Sequence, residues 1–233
     1  MLSPLTWVWV LIPITMLSLA PLVHGSPDTI RIFPPGSQPY GLPIEKHIEN
    51  FWKWQISIPD APEGEHPIDD LTGEQCGRGQ QPANSTVFYL SGSGGNTVNR
   101  TCEVPAGMGL LIPVMTMVAT DKEYPGSSIA ELARVAKADQ DSVSDVSLDV
   151  DGKNYIFEDL KPFRNSTGEF QVTFPDKGIF GIAKGGPSKA VADGYYLITE
   201  PLPPGQHNIN FKGTLDLPTS IFTHDITYLV TAK

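Results

Sequence analysis

Glycine and proline interrupt this chain every few residues, and this spacing restricts its fold more than any other feature of the sequence. The 233 residues include 22 Gly and 22 Pro, which favour short strands and turns over long helices. Between them lie short runs rich in Val, Ile, Thr, Tyr and Phe, a composition typical of strands. We predict strands at 86–90, 100–104, 109–114, 146–150, 153–157, 169–174, 195–199, 207–212 and 223–231.

Two segments have helical patterns instead. In 42–57, Pro43 occupies the first turn, and apolar residues recur behind it at helical spacing. That stripe contains Ile44, Ile48, Phe51, Trp52 and Gln55. In 128–138, Ser128 and Glu131 form a capping box ahead of a second apolar stripe. We therefore predict two short helices.

The pair Asp151-Gly152 lies between two predicted strands and predicts a tight type I′ hairpin turn, because both residues tolerate positive φ. Roughly nine strands and two helices indicate a mainly β fold. We predict an antiparallel β-sandwich or jelly-roll-like domain with two short helices. The domain spans 42–233 and follows an extended lead-in at 26–41.

The first 25 residues carry no Asp, Glu, Lys or Arg and are mostly apolar. An apolar core broken by Pro21 and followed by Gly25 is typical of an export signal, so we predict cleavage after Gly25 and a secreted protein. The alternative is an uncleaved segment that tethers the protein to a membrane. The stretch 5–23 is nearly long enough to span a bilayer, and no basic residue precedes it.

The charge of the chain excludes one class of partner. The formal net charge is −10 at pH 7, and the 16 Lys and Arg residues are scattered rather than clustered. An acidic surface repels phosphates, so we expect no nucleic acid among the partners.

The chain has only two cysteines, Cys76 and Cys102. In an oxidising compartment the expected state is one disulfide. It would close a loop of about 26 residues and stabilise the fold by about 3 kcal/mol on the chain-entropy model. The alternative is a reactive thiol with an unrelated second cysteine.

Three sequons provide candidate glycosylation sites. They begin at Asn84, Asn99 and Asn165, and each predicts an exposed position in a host that glycosylates. The alternative is that a pattern this short occurs by chance.

The densest group of polar residues contains His66, Asp69, Asp70 and Glu74. Carboxylates this close together are typical ligands of Ca²⁺, and with the histidine they suit a transition metal such as Zn²⁺. A metal bound by this loop would support a metal-assisted extracellular hydrolase. Separately, His66, Asp69, Asp70 and His207 are a candidate set for a hydrolase. The alternative is a polar loop in which the aspartates cap turns and no cofactor binds.

Two further polar or aromatic candidates depend on which way a side chain faces. His224 and Asp225 are neighbours on a predicted strand and point to opposite faces, which argues against a catalytic pair. Trp52 lies on the apolar stripe of the first helix and is expected in the core. Trp54 lies off that stripe, so it is the candidate for stacking on a sugar ring if exposed.

Several motifs occur in a fixed order along 42–231. They are Phe51-Trp-Lys-Trp-Gln-Ile-Ser-Ile-Pro59, His66-Pro-Ile-Asp-Asp70, Thr72-Gly-Glu-Gln-Cys76, Arg100-Thr-Cys-Glu-Val-Pro-Ala-Gly107, Leu111-Ile-Pro113, Ala192-Asp-Gly-Tyr-Tyr-Leu197, Pro201-Leu-Pro-Pro-Gly-Gln-His207 and Asp225-Ile-Thr-Tyr228. This set resembles a family of exported, β-rich proteins, mostly prokaryotic, with no assigned biochemical function. The order of the motifs carries the resemblance, because each motif alone is weak.

The resemblance implies a β-rich fold and a Cys76–Cys102 pair, and it implies no reaction. The chain departs from the family pattern at Phe51, where the family often has Trp, and at Met108, where a Lys is common. Any family site that uses that Lys is therefore in doubt for this chain.

These observations predict an exported β-sandwich module that acts by binding or at a surface and is not an enzyme. Its partner would be a glycan, a surface protein or a second copy that pairs at a strand edge. The alternative function is the metal-assisted extracellular hydrolase built on 66–74.

Overall fold

The computed structural model describes residues 29–60, 62, 64–80 and 85–233. The predicted signal segment and the sequon at Asn84 lie outside these residues. Within them, no helix is long and apolar enough to cross a membrane.

Ten strands and three helices make up the described chain. The helices are α1 (Ile44–Ser57), α2 (Ile129–Asp141) and the single-turn α3 (Phe157–Leu160). The strands are β1 (Val87–Tyr89), β2 (Thr97–Val104), β3 (Gly109–Thr120), β4 (Val143–Val150), β5 (Lys153–Tyr155), β6 (Arg164–Ser166), β7 (Phe170–Phe174), β8 (Gly186–Ile198), β9 (Gly205–Leu217) and β10 (Ser220–Ala232). The mainly β prediction is confirmed, and α3 was not predicted.

The strands form two five-stranded sheets. In the inner sheet the order is β1-β3-β8-β6, and β7 also pairs with β8. In the outer sheet the order is β2-β10-β9-β4-β5. Most pairs are antiparallel as predicted, but β1–β3 and β2–β10 are parallel. The parallel β1–β3 pair arises because the chain leaves the inner sheet after β1, forms β2 in the outer sheet and returns as β3.

The two sheets pack face to face and enclose the main core. Side chains alternate along β10: Ile226, Tyr228 and Val230 are buried, whereas Leu229 is 41 % exposed on the outward face. The largest buried side chains of this core include Phe211 and Tyr228, whose rings stack 6.2 Å apart.

Helix α1 covers the other face of the inner sheet, so that sheet is buried on both sides. The indole Nε1 of Trp52 donates to the hydroxyl of Tyr196 at 2.8 Å, and Trp52 is in the core as predicted. Helix α2 begins at the predicted capping box of Ser128 and Glu131 and packs against Ala119 and Val191.

The predicted hairpin and lead-in also have structural counterparts. Asp151 and Gly152 connect β4 to β5 with φ values of 52° and 83°, as a type I′ turn requires. The segment from residue 29 is packed on the domain rather than free. The N–H of Phe33 donates to the carbonyl of Ile198 at 2.9 Å, and Ile30 is buried.

Two sheet edges are closed to strand addition. At β1, the side-chain amide of Gln80 donates to the carbonyl of Tyr89 at 2.8 Å and accepts from its N–H at 3.1 Å. At β2, the N–H of Thr101 donates to the carbonyl of Thr72 at 2.8 Å. Because a covered edge offers fewer free backbone groups, these two edges disfavour pairing with a second copy.

Gln140 is a buried amide in the last turn of α2, in line with Leu132 and Ala136 on the stripe that faces the sheet. Neither Nε2 nor Oε1 has a hydrogen-bond partner. We expect Gln140→Met to raise the free energy of unfolding by about 1 to 3 kcal/mol, because it removes two buried, unpaired polar atoms at similar length. Urea denaturation measures the change. Gln140→Glu is the control and is expected to destabilise, so a Met variant no more stable than the parent contradicts the prediction.

The turn after β3 contains a carboxyl group with a raised pKa. Thr120 Oγ1 donates to Glu123 Oε2 at 2.8 Å, but burial raises the pKa of Glu123 to about 7. The folded state therefore holds this proton more tightly than the unfolded state, and the stabilisation from it is lost as pH rises from about 4.5 through 7.

We expect Glu123→Gln to be more stable than the parent by about 1 to 2 kcal/mol at pH 8, after allowance for solvent around a half-buried group. The difference should vanish at pH 4, where both side chains are neutral. Thermal unfolding from pH 4 to 8 measures it. A difference that does not change with pH would show that Glu123 ionises as it does in the unfolded chain.

Candidate functional site

The most elaborate part of the molecule is one end of the sandwich, which we call the loop end. It consists of the loops 64–75 and 91–96 and the start of β10. A Cβ atom built on Gly95 would lie 3.1 Å from Cε2 of Phe222, and the carbonyl of Asn96 accepts from the N–H of Asp225 at 3.4 Å. Loop 91–96 and β10 are therefore in contact. A Cβ atom built on Gly94 would lie 3.9 Å from Oδ1 of Asp69, so loop 64–75 adjoins loop 91–96.

The chain between α1 and β1 has no helix or strand among its described residues apart from a single bridge at Pro59. A connection of this length inside a compact domain is uncommon and is usually functional or disordered. Here it is held in place. The Cys76–Cys102 disulfide, predicted above, attaches it to β2 with the two Cα atoms 5.9 Å apart.

Arg100 on β2 holds the two loops together. Its guanidinium is 2 % exposed and forms no ion pair among the described residues. Instead its N–H groups donate to the carbonyls of Ile68 (3.2 Å), Asp70 (2.6 Å), Ser91 (3.0 Å) and Gly92 (2.9 Å) and to the hydroxyl of Tyr228 (2.7 Å). One buried side chain thus fixes loop 64–75 and loop 91–96 to β10.

Asp70 is used inside its own loop. Its Oδ1 accepts from the N–H groups of Thr72 and Gly73, both at 2.9 Å, and its Oδ2 accepts from the N–H of Gln75 at 2.8 Å. Burial alone would raise the pKa of Asp70, but the backbone donors of Gln75, Thr72 and Gly73 hold it below the ordinary value. Asp70 therefore caps a turn, as the alternative interpretation of the sequence proposed.

His66 is fully buried, and both of its ring nitrogens have backbone partners. Nε2 donates to the carbonyl of Gln55 at 3.0 Å, and Nδ1 accepts from the N–H of Ile68 at 3.1 Å. Burial lowers the pKa of His66. The neutral ring therefore has no lone pair left for a metal ion.

The four residues predicted as metal ligands do not form a ligand set. Within the described chain, no three side chains of His, Cys, Asp or Glu are arranged to hold a metal ion. The polar side-chain atoms of His66 and Asp70 form hydrogen bonds with backbone groups, whereas Asp69 and Glu74 line an open cleft of about 530 Å³. The structure shows a polar loop here because its aspartate and histidine atoms satisfy turn amides.

His207 lies far from this loop. Its Nδ1 is 2.8 Å from Oδ2 of Asp151, and its Nε2 is 2.9 Å from the carbonyl oxygen of Pro203. On β10 its partner is Val230. Val230 lies six residues, or about 20 Å along a strand, from His224 near the loop end. The structure therefore does not bring His207 together with His66, as a hydrolase that uses both histidines would require.

Trp54 does not meet the condition for stacking on a sugar ring, which was exposure of its side chain. Its side chain is 2 % exposed, and its indole Nε1 donates to the carbonyl of Arg78 at 2.9 Å. The ring also packs 5.5 Å from that of Tyr89. The loop that follows α1 packs on the side of the helix next to the apolar stripe. The buried surface of the helix is therefore wider than the stripe alone.

The two described sequons differ in environment. Asn99 and Thr101 are exposed on the outward face of β2. Asn165 is half-buried, and its Nδ2 donates to the carbonyl of Phe163 at 2.9 Å. Thr167 is 8 % exposed and accepts from the N–H of Ala192 at 3.0 Å. Glycosylation at these positions stays a prediction.

The residues that shape the loop end were not singled out by their chemistry in the sequence. Arg100 and Tyr228 occurred only as letters of two motifs, Arg-x-Cys and Asp-x-Thr-Tyr. The available signal was a lone Arg in an alternating strand, where it faces inward with Val98 and Cys102. An inward Arg in a strand predicts a buried network.

Comparison with known proteins adds no relative. No protein-family model, curated protein or solved structure matches this chain.

Proposed function

We propose that this chain is an exported β-sandwich module that acts by binding through its loop end, and that it is not an enzyme. The observation that carries the proposal is Arg100, which holds loops 64–75 and 91–96 through four hydrogen bonds to their carbonyls and bonds Tyr228 on β10 through a fifth. Burying a cation to order loops is costly. Loops that are already ordered favour binding, because less conformational entropy is lost when a partner docks.

The location of the protein supports an extracellular partner. The Cys76–Cys102 disulfide indicates an oxidising environment. Secretion itself is part of the proposal and rests on the apolar first 25 residues. The proposed membership of the exported β-rich family is consistent with both.

The surface of the open cleft favours a polar partner. Asp69, Glu74 and Asn96 supply oxygen and amide groups, and Leu71 beside them is 61 % exposed. Surfaces that combine hydrogen-bonding groups with an apolar side chain suit glycans and polar protein surfaces. A glycan is the partner we propose to test first.

The test uses the purified, disulfide-bonded chain and a panel of soluble polysaccharides, including β-1,3-glucan, xylan and chitin oligosaccharides. Backbone amide shifts of the loop end locate any binding. Leu71→Ser is expected to weaken it about tenfold, the loss of roughly 1.4 kcal/mol of apolar contact. Ile156→Ser is the matched control, since Ile156 is 58 % exposed at the N-cap of α3, and it should bind as the parent does.

Two results would overturn the proposal. One is cleavage of a polysaccharide in the panel by the purified chain, detected as new reducing ends. The other is about one Ca²⁺ or Zn²⁺ per chain by elemental mass spectrometry, lost on Asp69→Ala together with a catalytic activity.

A further inference from the structure

A second, smaller cleft lies at the loop end beside loop 91–96. Its volume is about 70 Å³, room for a few water molecules or a small polar group. It is lined by residues of α1, loop 64–75, loop 91–96, β3 and β10, and none of them is Asp, Glu, Lys or Arg. The residues used below are Phe51, Gln55, Gly92, Met115, Phe222 and His224.

The position of His224 in this cleft follows from an irregularity in β3. The pairing of β3 with β8 shifts register between Pro113 and Met115, as at a β-bulge, and bulges redirect backbone groups. The carbonyl oxygen of Val114, at the shift, accepts from Nε2 of His224 at 2.7 Å. Opposite His224 on β9 is Gly213, where a Cβ atom would lie 2.3 Å from Cε of Met115. The absence of that atom makes room for both side chains.

The hydrogen bond to Val114 defines which nitrogen of His224 is free. A carbonyl only accepts, so Nε2 carries the hydrogen, and in the neutral ring Nδ1 has the lone pair. Burial lowers the pKa of His224, which favours that neutral ring. The side chain is 7 % exposed, and Nδ1 has no hydrogen-bond partner among the described residues.

Nδ1 is also reachable. Within the described residues, only Gln140 has side-chain nitrogen or oxygen atoms that lack a partner and are fully enclosed. Nδ1 of His224 also lacks a partner, so it is not fully enclosed. His224 therefore presents an unpaired acceptor that is not sealed off, in a cleft that it lines.

We propose that this cleft binds a neutral ligand through a hydroxyl group that donates to Nδ1 of His224, as in a saccharide or polyol. The inference rests on the proposed function and names the chemistry of the ligand at the same end of the molecule. The apolar rings of Phe51 and Phe222 line the cleft and suit the C–H groups of such a ligand. Gln55 also lines the cleft, and its side-chain amide is held by the hydroxyl of Ser91.

Charged ligands fit this cleft poorly. Arg100 donates to the carbonyl of Gly92 at 2.9 Å, so a buried positive charge stands directly behind the wall and disfavours a cation. An anion would require a donor, and Nδ1 is an acceptor. A hydroxyl group matches both conditions, because it donates a hydrogen bond without a charge.

The test is a titration of the full disulfide-bonded chain with glycerol and with methyl β-D-glucopyranoside, followed by the ¹⁵N shifts of the histidine rings at pH 7.5. We expect the Nδ1 resonance of His224 to move saturably with at least one of them. The resonances of His66 are the control in the same spectrum, because both of its nitrogens are bonded to the backbone, and they should not move.

Two variants separate the site from the fold. His224→Phe keeps an aromatic ring but removes the acceptor and is expected to weaken binding about tenfold. Gly92→Ile narrows the cleft from its rim. A Cβ atom at Gly92 meets no atom within 4 Å, so this variant should fold normally and also weaken binding. Ile156→Ser, at an exposed residue that lines neither cleft, should leave the affinity for these two small ligands unchanged.

Two outcomes would overturn the inference. If a saccharide shifts the amides of Leu71 and Asn96 while His224 Nδ1 does not move, the loop end binds elsewhere and the proposed function survives without this site. If neither glycerol nor the glucoside moves His224 at 100 mM, the cleft does not take hydroxyl ligands. The polysaccharide panel then decides the proposed function on its own.

Discussion

Replacing Arg100 with leucine is expected to lower the free energy of unfolding by about 3 to 5 kcal/mol, the loss typical of breaking a buried hydrogen-bonded network. The leucine leaves the carbonyls of Ile68, Asp70 and Gly92 without their donors, whereas the carbonyl of Ser91 keeps the hydroxyl of Tyr228 as a donor at 2.9 Å. Each such orphaned group costs about 1 to 3 kcal/mol unless water reaches it. The expected fall in Tm is about 6 to 20 °C for a domain of this size.

The control is Arg31→Gln. The Arg31 side chain is 79 % exposed and lies 3.9 Å from Glu200, and an exposed pair of this kind contributes little. Arg100→Lys keeps the charge but lacks the planar fork that reaches both loops, so it should recover only part of the loss. If the free energy of unfolding of Arg100→Leu lies within about 1 kcal/mol of that of the parent, the loops are not held by this residue.

The Cys76→Ala, Cys102→Ala double variant is expected to lose about 3 kcal/mol of stability, because the crosslink restricts the unfolded chain across a sequence separation of 26. The loss has a local component too. The bond attaches the irregular segment after α1 to β2, so amide hydrogen exchange should increase most in 64–80 and least in the core of β9 and β10.

The reduced parent protein is the control for this variant, since it lacks the bond but keeps both sulfur atoms. Its Tm should match that of the double variant within about 2 °C, given roughly 2 to 4 °C per kcal/mol at this size. A parent protein that is equally stable with and without reductant would show that contacts such as Trp54 to Arg78 hold the segment by themselves.

Sequence patterns were sufficient to predict helix starts and turns, because these features depend on interactions between residues close together in the chain. The capping box at Ser128 and the Asp151-Gly152 turn each satisfy backbone groups within four residues, and both were predicted. The parallel partners of β1 and β2 were not, because strand direction depends on which sheet the chain enters next. The burial of Trp54 could not be predicted for a similar reason. Its indole is covered by the loop that contains Arg78, and the helix sequence does not determine the path of that loop.

The candidate site was less predictable than the fold. His66, Asp70 and Arg100 have reactive side chains, yet their partners in the structure are backbone groups. Residue type alone does not reveal that use. His224 is the reverse case, since its free nitrogen depends on the irregularity at Val114, on a different strand of the other sheet.

Most motifs behind the family resemblance have a structural explanation. Tyr228 bonds Arg100, Asp70 caps its own turn, and Cys76 pairs with Cys102. His207 joins the β4–β5 turn to the start of β9. Motifs of this kind specify how a chain folds.

The place of β10 in the outer sheet has a consequence for synthesis on the ribosome. β10 lies between β2 and β9 and pairs with both, and more than a hundred residues separate β2 from it in the chain. At 5 to 20 residues per second, β2 waits on the order of ten seconds for its neighbour. Cys76 and Cys102 both precede that interval, so an oxidant can join them on the nascent chain before the sheet closes over Cys102.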